Sequence, residues 1–423
     1  MNQRTQGQVP WAKWTFLIGL SIFFMILAFF FDSFSTILRG LLAIQLDPSV
    51  LTTDYLVVGG IGATLWNSAL VILGQLFVLK LNRNYLPGTL VATVLLVGGF
   101  AFFGTNLLNS MPIILGTYLY AKLNREDFAL FVMQAFLATT LGPLLSTLAF
   151  VLDISYFLSI PLAFVLGLFV GFIIPALSPA TLRYHQGYTL YNIGFVAGII
   201  GMVMVAVFRM FHFEINPVSR IFEESQWVLA LILAVIFLFT MICGILLNDR
   251  KLVGYHKLLL NSGRLLADYD VLYGTGLTLF NIGTMGLVSI LYVVVVRGSF
   301  NGPVIGGILS VAAFAAMGKH PRNALPVMLG VFLASWISPS LEPNSTPVIV
   351  TALFGTTLAP VAGEYGPLAG IVAGFLHAAL VTQVLPAHGG VNLYNNGFAS
   401  GFVAGAMVPL LEYLRQRKEK IYE

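Results

Sequence analysis

The stretch DYLVVGGIGATLWN at residues 54–67 returns as DYDVLYGTGLTLFN at 268–281. Extended without a gap, residues 54–116 align with 268–330 at a constant offset of 214, and 20 of these 63 positions are identical. The matches include Asp54/Asp268, Asn67/Asn281, Gly104/Gly318, Asn109/Asn323, Pro112/Pro326 and Gly116/Gly330. Further on, Thr139-Thr140-Leu141-Gly142-Pro143 answers Thr356-Thr357-Leu358-Ala359-Pro360. Each copy closes on a shared phrase. His185 is followed by Leu190-Tyr191-Asn192-Ile193-Gly194-Phe195, and His388 by Leu393-Tyr394-Asn395-Asn396-Gly397-Phe398. Self-similarity of this length marks an internal duplication. It divides the chain into residues 1–226 and 227–423.

Composition puts the duplication in a bilayer. Of 423 residues, 58% are hydrophobic and 9% charged, against about 25% charged in ordinary soluble domains. So few charges cannot cover a soluble surface. A soluble enzyme, a disordered chain, a disulfide scaffold and a nucleic-acid binder are excluded. One cysteine permits no internal disulfide and no cysteine metal cluster. The net charge of +4 sets topology rather than recruiting an acidic partner.

A spanning helix needs roughly 20 apolar residues. Fourteen hydrophobic elements are legible, at 14–34, 55–79, 87–104, 106–121, 127–151, 156–178, 188–211, 227–247, 270–296, 302–318, 324–339, 346–361, 366–385 and 390–411. The first follows Arg4 and Lys13, but it is too long for a signal peptide and lacks a small-residue cleavage site. If all fourteen cross from a cytoplasmic N-terminus, 17 Lys and Arg lie inside, Arg83 and Lys319 among them. Only Arg39, Arg209, Arg220 and Arg297 lie outside, as the positive-inside rule requires. Making 106–121 and 324–339 re-entrant changes the split to 11 against 10 and loses the bias. The expected fold is therefore an all-α integral membrane protein of about 14 transmembrane or re-entrant helices, seven per copy, with both termini cytoplasmic in the inner (plasma) membrane. Seven is odd, so the copies insert with opposite orientation. The uncharged residues Thr105 to Leu108 face outside, and their basic counterparts Lys319, His320 and Arg322 face inside. Inverted repeats about an axis in the membrane plane are the build of many secondary transporters.

The recurring polar residues nominate a site. An amide in hydrocarbon costs about 2–7 kcal/mol unless it is bonded. Asn67, Asn281, Asn192 and Asn395 must therefore bond another helix, a free carbonyl or a solute. Asn109 and Asn323, followed by Pro112 and Pro326, read as helix starts. Thr140 and Thr357 precede Pro143 and Pro360, which break their helices and free carbonyls. Interrupted segments at matching places in two halves point to a binding site. Segments 106–121 and 324–339 and these two breaks are expected to be irregular and central. His185 and His388, beside glycines, are expected on non-helical backbone, as gates or proton relays. His377 lies within an apolar element without a counterpart. Asp54 and Asp268 read as N-caps, with coupling to a cation as the other reading.

The repeated Leu-aromatic-Asn phrase, the duplicated layout and the His-x-Gly…Leu-Tyr-Asn-x-Gly-Phe ending resemble an uncharacterised bacterial family of multi-pass membrane proteins, a domain of unknown function. The resemblance spans essentially the whole chain and implies no activity. A more distant likeness is to urea transporters, which are also inverted duplications with an aromatic-Asn phrase beside glycines. Here Leu65-Trp66-Asn67-Ser68 and Asn109-Ser110-Met111-Pro112 look similar. The chain departs in having two such phrases per half, and urea is not carried over.

The expected function is passage of a small polar, neutral or anionic solute, by a secondary transporter or a channel-like facilitator. A passive urea-transporter-like channel, an intramembrane lipid enzyme and a non-transporting subunit are the alternatives. No His-Glu-x-x-His, Gly-x-Ser-x-Gly or P-loop is present, so no enzyme is expected. No cofactor and no metal are implied. The partners are the solute and the lipid bilayer, with a coupling ion (Na⁺ or H⁺) and a homo-oligomer as open additions; nucleic acid is not one.

The topology is testable by cysteine accessibility in a Cys243→Ser background. A cysteine at position 220 is expected to label from outside intact cells, and one at 257 to be protected. The reverse pattern refutes the arrangement.

Overall fold

The computed structural model describes residues 10–82, 86–152, 155–213, 215, 219–222, 224–265 and 267–422. Arg4 and Arg83 lie outside the described residues. The first copy contributes α1 (Pro10–Ala28), α2 (Phe34–Leu46), α3 (Tyr55–Val58), α4 (Gly60–Asn82), α5 (Gly88–Phe100), α6 (Leu107–Leu123), α7 (Val132–Ala138), α8 (Gly142–Phe150), α9 (Tyr156–His185) and α10 (Asn192–Met210). The second contributes α11 (Trp227–Leu247), α12 (Tyr255–Leu259), α13 (Tyr269–Tyr273), α14 (Thr275–Val295), α15 (Gly302–Phe314), α16 (Pro321–Ile337), α17 (Thr346–Gly355), α18 (Ala359–Tyr365), α19 (Pro367–His388) and α20 (Asn395–Tyr422). Among the described residues the fold is all-helical, and nine helices are long and apolar enough to cross a membrane. These include α7–α8 and α17–α18, each counted as one continuous rod. The chain is a multi-pass membrane protein. Long helices such as α9 turn Phe157, Phe164 and Phe169 outward, as a lipid-facing surface does.

Other expected elements are shorter. α5 and α15 have 13 residues each, about 20 Å at 1.5 Å per residue, against a hydrocarbon core of about 30 Å. α2 was not foreseen as an element. After α5 and α15 the chain leaves the helix in two tip loops, 101–106 and 315–320, and every residue of both is buried. Thr105, Lys319 and His320, expected in loops between crossings, are buried within the protein. The loop backbones are held within the protein by helix caps and side-chain amides, so their charge reports nothing about aqueous faces.

Local chemistry explains the helix ends. Asp54 accepts from the Leu56 N–H (2.8 Å) and Asp268 from the Asp270 N–H (3.0 Å), capping α3 and α13 as expected. Asp54 also accepts from the Gly302 N–H (3.0 Å), so it ties α3 to the start of α15. α6 is entered one turn earlier than expected. Asn106 is its cap, accepting from the Asn109 N–H (2.9 Å), while Asn109 Oδ1 accepts from the Asn106 N–H (3.0 Å). Asn323 likewise accepts from the His320 N–H (2.9 Å) at the start of α16. Asn109 and Asn323 are thus third helical residues rather than caps. With its entry fixed, each helix carries its proline internally, and residues 107–123 and 321–337 are unbroken rather than irregular.

The expected breaks do occur beside Pro143 and Pro360. Thr139–Leu141 and Thr356–Leu358 are 3-10 turns between α7 and α8 and between α17 and α18. His185 and His388 are the last residues of α9 and α19, not loop residues. Left-handed Gln186 (φ 53°) and Gly389 (φ 56°) then turn the chain away.

Packing relies on close backbone approach, as in membrane bundles generally. Gly116 and Gly171 bring α6 against α9, and Gly330 and Gly374 bring α16 against α19. A Cβ at Gly171 would overlap the Ile113 carbonyl, whereas one at Gly19 meets nothing within 4 Å. Gly171→Ala is expected to lower stability by about 1–3 kcal/mol, the range for overpacking. Gly19→Ala is expected to be neutral. Thermal unfolding of the two purified variants in detergent checks the difference.

Candidate functional site

Two crossover segments, 186–191 and 389–394, link α9 to α10 and α19 to α20. Each runs to the 3-10 turn of the other copy. The Leu190 N–H donates to the Thr357 carbonyl (3.0 Å), and the Leu393 N–H donates to the Thr140 carbonyl (3.1 Å). Thr357 Oγ1 accepts from the Tyr191 N–H (3.0 Å) and pairs with Thr189 Oγ1 (2.8 Å). Thr140 Oγ1 donates to Asn392 Oδ1 (3.3 Å). A 3-10 turn leaves helix carbonyls without their usual donors, and these crossovers supply them.

Between the turns lies an aromatic cluster. The rings of Tyr191 and Tyr394 lie 4.7 Å apart. Phe314 lies 4.7 Å from Tyr191, and Phe100 4.7 Å from Tyr394. Phe354 closes the cluster 5.9 Å from Phe100. All five are buried. Lys319, from the second tip, reaches this cluster and is 0% exposed. Its Nζ donates to Tyr191 OH (2.8 Å) and lies 4.7 Å from the Tyr191 ring centre and 5.1 Å from that of Phe314. Tyr191 OH also pairs with Ser310 Oγ (2.9 Å).

The nominated residues fall into three groups. Asn67, Asn281, Asn109 and Asn323 hold the tips. Asn67 Nδ2 donates to the carbonyls of Ala101 (2.8 Å) and Thr105 (2.9 Å). Asn281 Nδ2 does the same for Ala315 (2.8 Å) and Lys319 (2.7 Å). Asn109 and Asn323 donate to the Gly104 (3.0 Å) and Gly318 (2.8 Å) carbonyls. Thr140 and Thr357 form the second group, at the crossovers. The third is a pair of His-Asn couples. His185 Nε2 bonds Asn192 Oδ1 (2.9 Å), and His388 Nδ1 bonds Asn395 Oδ1 (2.7 Å). Asn192 is further held by Thr181 Oγ1 (2.8 Å) and Ser178 Oγ (2.8 Å). His377 pairs with Asn396 Oδ1 (2.9 Å).

A cavity of about 280 Å³ opens between α16, α17, α19 and α20. Phe103, Ser335, Thr346, Leu393, Asn395 and Asn396 are in its wall. Of the nominated residues, Asn395 borders it. Through Phe103, whose ring is 5.6 Å from Phe100, the cavity touches the aromatic cluster.

Sequence reading missed Lys319, Tyr191, Tyr394 and Ser310. The signal for Lys319 was present: it stands opposite Thr105 directly after the shared Gly104/Gly318. Among the described residues, no three His, Cys, Asp or Glu side chains are grouped so as to hold a metal ion.

The family model described as "Protein of unknown function (DUF1576)" matches residues 33–210 and 247–413. No curated protein and no solved structure matches the chain.

Thr357→Val removes two short hydrogen bonds in the interior, whereas Thr140→Val removes one long one. The first is expected to lower stability by about 1–3 kcal/mol and the second by about 1 kcal/mol or less. Equal losses on thermal unfolding would refute the stated roles of the crossovers.

Proposed function

The chain belongs to the DUF1576 family, and we propose that it is a membrane transport protein, a secondary transporter or channel-like facilitator for a small polar solute, neutral or anionic. The reading takes the two copies as inverted seven-element halves with the solute path at their interface.

One observation carries it: matched residues of the two copies touch each other. The Tyr191 and Tyr394 rings lie 4.7 Å apart, tilted by 35°, Gly397 lies 3.0 Å from Gly194 measured from an added Cβ, and the Phe195 and Phe398 rings are 5.8 Å apart. A residue meets its own counterpart only beside a two-fold axis. The reading places that axis in the membrane plane, as opposite insertion of the two halves requires. Around it stand the features of a transport site: short helices ending in buried loops, and two broken helices in matched positions.

The glycines of α10 and α20 let the copies meet closely: Gly194, Gly198 and Gly401 seat the rings of Tyr394, Phe398 and Phe195. Rocking one half against the other about the Tyr191/Tyr394 pair would open the cluster alternately to either face. The existing cavity, with Asn395 in its wall, is the entry on one side.

The test is uptake by proteoliposomes against a panel of urea, acetamide, glycerol and small monocarboxylates. Flux above protein-free vesicles is expected for at least one solute. Asn395→Leu is expected to reduce it at least tenfold while the protein remains folded. Asn67→Leu, by contrast, is expected to lower stability by about 0.6–2 kcal/mol, with flux per folded molecule retained. No flux for any solute, or full activity of Asn395→Leu, refutes the reading.

A further inference from the structure

We propose that Lys319 Nζ, with Tyr191 OH and Ser310 Oγ, is the binding site for a small monovalent anion of the carboxylate class. The proposal rests on the transport reading for its place on a solute path, but the site itself is a claim about binding.

Lys319 has no acidic partner among the described residues. Among the described residues the ion pairs join Lys13 to Asp270, Arg220 to Asp47, and Arg415 to Glu364 and Glu419; none involves Lys319. In the protonated form, which a bound anion would favour, it has three N–H donors, and Tyr191 OH takes one. The Tyr191 and Phe314 ring faces take up the charge in part. Such a group in a membrane interior is expensive, and its default reading is functional.

The duplication provides an internal control. Thr105 stands in the first tip where Lys319 stands in the second. The backbones of the two do the same work: the Thr105 carbonyl accepts from Asn67 and the Lys319 carbonyl from Asn281. Both tips close, and both are buried. The fold therefore does not need a cation at this position. Lys319 is an addition to a loop that is stable with threonine.

A second observation comes from the matching point on the other side of the pseudo-axis. Thr105 Oγ1 and Tyr394 OH are buried and have no hydrogen-bond partner. They correspond to Lys319 and Tyr191, whose polar atoms are bonded to each other. The shorter threonine leaves its tyrosine unanswered, while lysine reaches the hydroxyl opposite it. Only the point where Lys319 and Ser310 of the second copy meet Tyr191 of the first thus brings an amino group and two hydroxyls together.

That donor set matches a carboxylate. The ammonium supplies charge and two free N–H groups, and the two hydroxyls can turn to donate. Tyr191 borders the ring cluster between the tips, so an anion bound here would part Tyr191 from Phe314. A neutral isostere of the same size would gain the hydroxyl contacts and not the charge.

The experiment uses the purified full chain in detergent at constant ionic strength, with thermal unfolding as readout. Acetate, formate and bicarbonate are the anionic probes, and acetamide is the neutral isostere of acetate. At least one anion is expected to raise Tm saturably, with acetamide raising it little. Lys319→Thr, which copies the first tip, is expected to fold and to weaken that anion at least tenfold. Should it not fold, Tyr191→Phe and Ser310→Ala keep the charge and are each expected to weaken the anion severalfold. No response of the unaltered protein to any of the three anions overturns the proposal, as does unchanged affinity in Lys319→Thr or in both hydroxyl variants. Anion binding that depends on Lys319, in a protein that passes no solute in proteoliposomes, upholds the site and removes the transport reading.

Discussion

Irregular backbone inside a membrane protein must find its hydrogen bonds within the protein, because the surrounding hydrocarbon offers none. This structure has irregular backbone in four central places: two tip loops and two crossovers. The rest of the architecture answers that demand. The tips are held by Asn67 and Asn281, each of which gives both amide hydrogens to two carbonyls of one loop. The crossovers are held by the carbonyls that the 3-10 turns release. A broken helix and an extended segment, each intolerable alone, are stable as a pair.

That pairing runs between the copies. Leu190 belongs to the first copy and Thr357 to the second; Leu393 belongs to the second and Thr140 to the first. Neither copy satisfies its own centre. Asp54 acts in the same way at the periphery of the core, capping α3 and the start of α15. The glycines of α10 and α20 permit this intimacy, since a side chain at Gly198 or Gly401 would overlap Phe398 or Phe195.

Symmetry of backbone leaves side chains free to differ. Phe103 of the first tip corresponds to Met317 of the second, and Thr105 to Lys319. The first tip presents a phenyl ring to the cavity, and the second presents an ammonium to Tyr191.

The sequence by itself determined the duplication, the membrane environment and the capping chemistry. Apolar composition excludes a soluble surface. An ungapped offset of 214 over residues 54–116 shows that this stretch is duplicated in sequence. Asp54, Asp268 and the breaks beside Pro143 and Pro360 were legible because caps and proline act over one turn, within reach of local reading. Tertiary structure alone decided what the conserved-spacing amides bond to. Asn67 and Asn192 are the same residue in similar phrases, yet one holds a loop 34 and 38 residues away and the other meets a histidine seven residues back. It also decided that Lys319 is buried. A lysine between two apolar elements has the pattern of a topological charge, and only the folding of both flanking helices inward, with the tip bonded to Asn281, puts it among aromatic rings. Hydrogen-bond partners far apart in the chain are set by packing, which no local pattern encodes.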